Sequence, residues 1–481
     1  MKIHAARTMQ FALNILHGHQ NQRRKGEKME NQSLGYYLNQ LSLKRSEDIL
    51  EINESIERDY IFQALALELD KEQYPPVIRA FADGYEDFPI VGNIFASRLR
   101  IAELLGEGGE KNVTSNWLKI ERNPIRPVIV PNGPVQEEFI TENIDIDFLP
   151  MMQYYCTDAG RYISSAIVAV KDPDNGIHNL SYHRMQFKGG GKFGISMHTR
   201  QHLFYYYEKA REAGRDLEVA IIVGCHPAVS LGAVSRPGLD GDEYDIAGSI
   251  LGEPLRLVQG RTVSVDYPAE SEIVMEGYIS TKEHEPEGPF GEFTGFLTSR
   301  STENIFYCTG LSRRRHPLYE VIIPGRSKDH LYLGHMICET LALARIQEKI
   351  PWVTDLTYPI SGGNMHAYIQ MKPAPAGMAK VAVSMLMGLD YIVKMVVVVD
   401  TDIDIRQDEQ VMWAIATRVR HGRDTFMIPE SFTISLDPVS ENNTVTKFGV
   451  DATMTSEMRK ELVVCQPREE DIARAREILH N

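Results

Sequence analysis

Two glutamates five residues apart, Glu287 and Glu292, stand in the segment EHEPEGPFGEFTGF (283–296). Its three glycines and two prolines mark a sharply turned, closely packed loop. Such a turn can bring both carboxylates to one cleft, where mutual repulsion raises one pKa above the usual value of about 4.3. A carboxylic acid tuned in this way can deliver a proton near neutral pH. On spacing alone, two solvated loop glutamates are the plainer reading.

A second segment, HNLSYHRMQFKGGGKFGISMHTRQH (178–202), gathers Asn179, Ser181, His183, Arg184, His198 and His202 around a glycine run at 189–191. Arginine offers a planar fork suited to carboxylate or phosphate. The triple glycine lacks the spacing and Lys-Ser/Thr ending of a P-loop. His198 and His202 have the spacing of an H-E-x-x-H helix, but Thr199 occupies the glutamate position, which argues against a metalloprotease. In a third segment, GDEYDIAGSILGEPLRLV (241–258), Asp242, Glu243 and Asp245 precede an apolar stretch. Acids there suit a solvated helix start, or Glu243 can serve as a hard-oxygen ligand for Mg²⁺ or Mn²⁺.

The elements that must position these residues alternate in type along the chain. Residues 46–105 mix helix (RDYIFQALALELD) and extended (FPIVGNIF) patterns, and the proline-rich NPIRPVIVPNGPVQ (123–136) reads as a linker. From about 160 to 325 short β-rich runs predominate (YISSAIVAV, EVAIIVG, SEIVMEGYIS, LYEVIIP), with one helix in HTRQHLFYYYEKARE ending before Gly214. A further helix, HMICETLALARIQEKI, ends at Pro351. Beyond it, YIVKMVVVV has the continuous apolar run of a buried parallel strand, EQVMWAIATRV is helical, and REEDIARAREILHN is a polar helix.

The chain has 481 residues, enough for two or three domains, with 43% hydrophobic and 24% charged residues as in soluble globular proteins. A net charge of −15 argues against general nucleic-acid or anionic-membrane binding. No run approaches the ~20 apolar residues of a membrane span. Five scattered cysteines without a C-x-x-C pair suit reduced thiols in the cytoplasm and give no zinc site. Residues 1–28 hold six Lys or Arg against one acid, Glu27, but lack the serines of a transit peptide. They read as a poorly ordered extension before Met29.

In this order the motifs resemble the UbiD family of prenylated-FMN-dependent decarboxylases. NLSYHR (179–184) is similar to its Asn-x-Ser/Gly-x-x-Arg strand, MHTR (197–200) to its later histidine, and LGAVS (231–235) with Glu243 to its Gly-Ala-Val…Glu element. PEGPFGEFTGF (286–296), KMVVVVDTDID (394–404), VMWAIATR (411–418) and KFGVDAT (447–453) extend the match over about residues 35–455. The resemblance implies an α/β (α+β) chain: an N-terminal α/β domain (29–130), a central β-rich domain (131–330) with a split β-barrel that binds flavin, a linker helix (331–350) and a C-terminal α/β oligomerisation domain (351–481).

It also implies the site. Arg184, Glu287 and Glu292 fall on the catalytic trio, with Glu292 as general acid, Glu287 holding Arg184, and Arg184 orienting the substrate carboxylate. Asn179, His198 and Glu243 fall on the ligands of a divalent metal, Mn²⁺ or Mg²⁺, that clamps the cofactor phosphate, with K⁺ as an optional further ion. Lys394 matches a phosphate contact, and Ser181, Ala233, Val234 and Ser235 would line the isoalloxazine. The implied activity is that of a carboxy-lyase: reversible non-oxidative decarboxylation of an aromatic, heteroaromatic or α,β-unsaturated acid through a covalent substrate–cofactor adduct. A flavin prenyltransferase would supply the cofactor, and the chain would form a homodimer or higher homo-oligomer. The dimer would be built on Met395–Val399 with Val411, Met412, Trp413 and Ile415. His183 and Met197 depart from the family pattern beside the cofactor, where His183 could contact the ring or the substrate. Two alternatives stay open: a UbiD-like assembly subunit without cofactor chemistry, and an ordinary flavin oxidoreductase, against which the missing G-x-G-x-x-G argues.

Overall fold

The computed structural model describes residues 31–197, 202–298, 302–463, 465 and 467–480. The stretch 1–28 and the candidate ligand His198 therefore lie outside the described residues.

The N-terminal part forms around one small sheet. Helix α1 (Leu34–Lys44) is capped by Ser33, which accepts from the Tyr36 amide, and buries Leu34, Leu38 and Leu41 along one face. Strand β1 (Ile49–Ile56), helix α2 (Ile61–Leu69), β2 (Val77–Ala82) and β3 (Ile90–Gly92) follow, then α3 (Arg98–Leu105) and α4 (Val113–Arg122). The fourth strand of this sheet is Tyr319–Glu320, parallel to β3 and far along the chain. Of the extended run LYEVIIP, only these two residues join a ladder. The proline-rich 123–136 stretch is not a free linker, because Val128–Ile129 pairs in parallel with Arg256–Leu257.

A nine-stranded antiparallel sheet holds the middle of the chain. Its strands are β4 (Glu138–Ile140), β5 (Tyr162–Ile163), β6 (Ile167–Lys171), β7 (His178–Tyr182), β8 (Met185–Phe187), β9 (Lys192–Ile195), β10 (Leu217–Val223), β11 (Ile273–His284) and β12 (Asn304–Arg313). The order is β5-β8-β9-β12-β11-β10-β6-β7, with β4 added to β12. Strand β7 lies at one edge and β8 near the other, yet only His183 and Arg184 separate them in sequence. Such a link reaches at most about 11 Å from Tyr182 to Met185. The two edges must therefore face each other, and the sheet curls into the split barrel that the sequence implied. YISSAIVAV is broken at Ser164–Ser165 into β5 and β6.

Both faces of this sheet are covered, which is why its strands read as continuous apolar runs. In β10, Val219, Ile221 and Val223 join the barrel-side core with Phe193 and Phe306. Ala220 and Ile222 alternate to the other face, which carries α6 (Pro227–Ala233) and α7 (Glu243–Leu251) beyond α5 (His202–Glu212).

Helix α8 (Lys328–Gln347) starts at a Ser327 cap, earlier than its apolar pattern suggests, and is buried on several sides. The C-terminal part runs β13 (Val353–Thr357), β14 (His366–Met371), α9 (Met378–Leu389), β15 (Met395–Asp400), α10 (Asp408–Arg418), β16 (Thr425–Phe432) and β17 (Thr444–Asp451). The sheet order is β13-β14-β15-β17-β16. Val396 and Val398 pack towards α9, Val397 and Val399 towards α10, and all four are fully buried. They fill their own core and offer no surface for a dimer, as does Val411, whereas Met412 and Trp413 are exposed. The polar tail helix, α11 (Glu469–His480), is where the sequence placed it. Among the described residues no helix is long and apolar enough to cross a membrane.

Candidate active site

The two-residue crossing from β7 to β8 delivers Arg184 into the gap of the curled sheet. Its Nε and Nη2 donate to the two carboxylate oxygens of Glu287, each at 2.9 Å, in a bidentate pair. Its Nη1 donates to Glu292 Oε1. The fold thus brings both glutamates of the trio that the family resemblance implied onto the Arg184 guanidinium. The Glu287 side chain is fully buried and that of Glu292 is 14% exposed. Burial raises the pKa of Glu292, and the negative Glu287 adds to the rise against the opposing pull of Arg184. Burial alone would lower the pKa of Arg184, but the two carboxylates outweigh it and hold the guanidinium charged. One cation does not neutralise two buried anions, and the surroundings of Glu292 favour its protonated form.

The loop that carries both glutamates is held from the far side of the sheet. Asp158 accepts from the Gly291 amide at 2.9 Å, and Gln186 Oε1 accepts from Gly288 at 3.2 Å. Phe290 lies 5.1 Å beneath the Arg184 guanidinium and 4.5 Å from the Tyr162 ring. Gly194 of β9 leaves room for Glu287, since a Cβ there would stand 3.1 Å from the Glu287 Cβ. Asp158, Gln186 and Tyr162 were not singled out from the sequence. Their contacts with the loop are long-range, and nothing in their local pattern announces them.

Asn179 and Glu243 meet five residues upstream of Arg184. Glu243 opens α7 behind an Asp242 cap, and α7 presses so closely on α6 that a Cβ on Gly232 would stand 2.8 Å from the Glu243 carbonyl oxygen. Glu243 accepts from Asn179 Nδ2 at 2.8 Å and from the Leu180 amide at 3.1 Å. Burial without a neighbouring cation pushes its carboxyl up to about 8. Asn179 Oδ1 is buried and has no hydrogen-bond partner. A lone carbonyl oxygen beside an uncompensated carboxyl is the donor set that a hard divalent cation takes, so these residues fit such an ion. Among the described residues, no three His, Cys, Asp or Glu side chains converge on a metal position. His202 Nδ1 stands 3.5 Å from Asn179 Nδ2. Next to Asn179, His178 is bonded on both ring nitrogens, to Asp242 at 2.9 Å and Asp266 at 3.0 Å. This brace behind the cradle was not anticipated.

The remaining residues divide. Ser181 Oγ lies 2.9 Å from His183 Nε2, and His183 is buried. Ala233, Val234 and Ser235 form the end of α6 on the β7 side, where Ser235 Oγ donates to the Gly232 carbonyl at 2.6 Å. Lys394 belongs to the C-terminal part and donates to Asp437 at 2.8 Å, not to a residue of the central sheet.

Comparison with known proteins follows this geometry. Residues 127–327 match the 3-octaprenyl-4-hydroxybenzoate carboxy-lyase Rift-related domain, UbiD, and residues 331–452 match the C-terminal domain of the same carboxy-lyase. A phenolic acid decarboxylase of Bacillus subtilis is 31% identical over 438 residues, 86% of this chain and 90% of its own length. An anhydromevalonate phosphate decarboxylase of Methanothermobacter thermautotrophicus is 30% identical over 369 residues, 76% of this chain and 86% of its own. The UbiD-class enzyme HmfF of Pelotomaculum thermopropionicum, solved with FMN, superposes with a TM-score of 0.86 at 32% identity, covering 91% of this chain and 98% of that one. An evolved dimeric form of HmfF with prenylated FMN gives 0.82 at 32% identity over the same shares.

Proposed function

Because this chain belongs to the UbiD family of carboxy-lyases, we propose that it catalyses reversible, non-oxidative decarboxylation of an aromatic, heteroaromatic or α,β-unsaturated carboxylic acid with prenylated FMN. The observation that carries this reading is Arg184 shared between a doubly bonded Glu287 and a singly bonded Glu292 whose pKa burial raises. When bound, prenylated FMN supplies the electron sink that loss of carbon dioxide from an sp² carbon requires and that side chains lack.

The chain's own residues then act as follows. Glu287 fixes the plane of the guanidinium through Nε and Nη2, which leaves Nη1 as the exchangeable corner. A substrate carboxylate seated on Nη1 displaces Glu292, which loses its cation while remaining buried. That loss raises its pKa further and holds the proton on Glu292 until a carbon accepts it. Asn179, His198 and Glu243 would hold Mn²⁺ or Mg²⁺ beside the cofactor phosphate, the cation replacing the proton that Glu243 keeps without one. Lys394 would exchange Asp437 for that phosphate, and Ser181, Ala233, Val234 and Ser235 would line the ring. The boundaries 29–130, 131–330, 331–350 and 351–481 describe the proposed division of labour, with oligomerisation assigned to the last. A cytoplasmic setting with a flavin prenyltransferase as cofactor donor completes the proposal.

Co-expression with a flavin prenyltransferase tests it. The expected result is protein carrying prenylated FMN by mass and absorption, a stoichiometric divalent metal, and exchange of labelled bicarbonate into an unsaturated acid. Protein that takes up neither flavin nor metal on reconstitution would instead be an assembly subunit.

A further inference from the structure

We infer that His183 is a positioning residue that makes Ser181 a hydrogen-bond acceptor towards the cofactor cleft, so that this point of the site selects the imide N–H edge of a flavin ring. The inference rests on the proposed reading in which Ser181 lines that cleft.

Strand periodicity gives the direction of the side chains. Leu180 and Tyr182 point into the packed cores behind β7. Asn179 and Ser181 therefore share the opposite face, the one that carries the unpartnered Asn179 oxygen. His183 sits past the end of the strand, buried, with both ring nitrogens engaged. Its Nδ1 is 2.8 Å from the Ser196 carbonyl oxygen, and its Nε2 is 2.9 Å from Ser181 Oγ. A carbonyl only accepts, so Nδ1 must carry a proton. Burial holds the ring pKa down at about 4, which keeps the imidazole neutral near pH 7 and leaves Nε2 a lone pair. The Ser181 hydroxyl must then donate to Nε2. Its proton is committed, and Oγ offers the cleft only lone pairs.

A serine hydroxyl ordinarily rotates to suit either a donor or an acceptor. Here the histidine removes that freedom. Ribityl hydroxyls can both donate and accept, and would not need a serine of fixed polarity. The imide N–H of an oxidised isoalloxazine has no lone pair, lies between two carbonyls that only accept, and does need one. A rotor donating towards the cleft would repel this N–H, so the Ser196–His183–Ser181 chain sets the register of the ring.

Apoprotein titrated with FMN and with 3-methyl-FMN, read by flavin fluorescence, tests this without any turnover. Wild type is expected to bind FMN about 5- to 10-fold more tightly than 3-methyl-FMN, the range of one neutral hydrogen bond. Ser181→Ala should weaken FMN by a similar factor and bind both flavins alike. His183→Leu, which keeps volume but cannot accept, should do the same, and the double variant should lose no more than either alone. His183→Gln, whose amide can donate and accept, should recover most of the preference, which a purely structural role would not predict. If His183→Leu fails to fold, Ser181→Ala with the two flavins and His183→Gln still decide the matter. Equal binding of both flavins by wild type, or additive losses in the double variant, would overturn the inference while leaving the flavin reading intact. Wild-type protein that binds no FMN overturns both.

Discussion

At the scale of residues, the site turns on an unequal division of one guanidinium. Glu287 takes two bonds and is sealed from solvent; Glu292 takes one and is reachable. An acid must keep its proton and then part with it, whereas an orienting group must stay charged, and these surroundings separate the two demands. Glu292→Gln is expected to lower decarboxylation by roughly 10²–10⁴-fold, the usual cost of losing a general acid, while cofactor is retained. Glu287→Gln should chiefly raise KM by loosening Arg184. Deuterium incorporation from heavy water at the product carbon separates the roles. If Glu292→Gln exchanges at a near-native rate while Glu287→Gln does not, the assignments must be swapped.

At the scale of elements, the loop between β11 and β12 couples the proposed acid, Glu292, to the C-terminal part. Phe293, adjacent to Glu292, packs with Leu331 of α8 and with Met365 and Ile434 beyond it. His330 closes the cluster edge-on, 6.5 Å from the Phe293 ring. The Met365 carbonyl accepts from the Lys394 amide at 2.8 Å, so one apolar contact ties the proposed proton donor to the segment bearing the proposed phosphate lysine. Phe293→Ala would admit water to Glu292 and weaken the burial that raises its pKa. Because the protonated form is the active one in the proposed mechanism, the alkaline limb of the rate profile should move to lower pH. kcat should also fall by up to about 10²-fold through lost placement. Phe293→Leu should restore most of both. A Phe293→Ala profile that keeps the native limb would show that other groups set the burial of Glu292.

At the scale of the whole molecule, the C-terminal part leaves large apolar side chains exposed on α10 and β16. Met412 (57% exposed), Trp413 (44%) and Met427 (67%) face outward while the valines of β15 stay inside. Side chains of this kind are enriched in subunit interfaces. Light scattering should therefore return about two chain masses or a higher multiple. Met412→Glu combined with Trp413→Glu should bring it to one mass with the fold intact by circular dichroism. A wild-type protein that remains at one chain mass over a wide concentration range would reject the interface.

The types and the local spacing of the chemistry are legible in the sequence: two glutamates across a Gly-Pro-Phe-Gly turn, an asparagine and an arginine five apart in one segment, and an acid at a helix start. It also determined the elements whose apolar period is complete within the element, such as β15, where burial on both faces leaves an uninterrupted run of valines. Convergence was decided by tertiary structure. Arg184 and Glu287 are 103 residues apart and Asn179 and Glu243 are 64 apart; the curled sheet sets the first pair at hydrogen-bond distance, and the packing of α7 on β7 the second. Strand breaks such as that at Ser164–Ser165, and the pairing of Tyr319–Glu320 with an N-terminal strand, also depend on partners far along the chain. The same holds for polarity. Burial holds the His183 ring neutral, and the Ser196 carbonyl opposite one nitrogen and the Ser181 hydroxyl opposite the other fix which nitrogen donates and which accepts. A residue type gives the capacity to donate or accept; the neighbours that folding supplies fix which of the two it does.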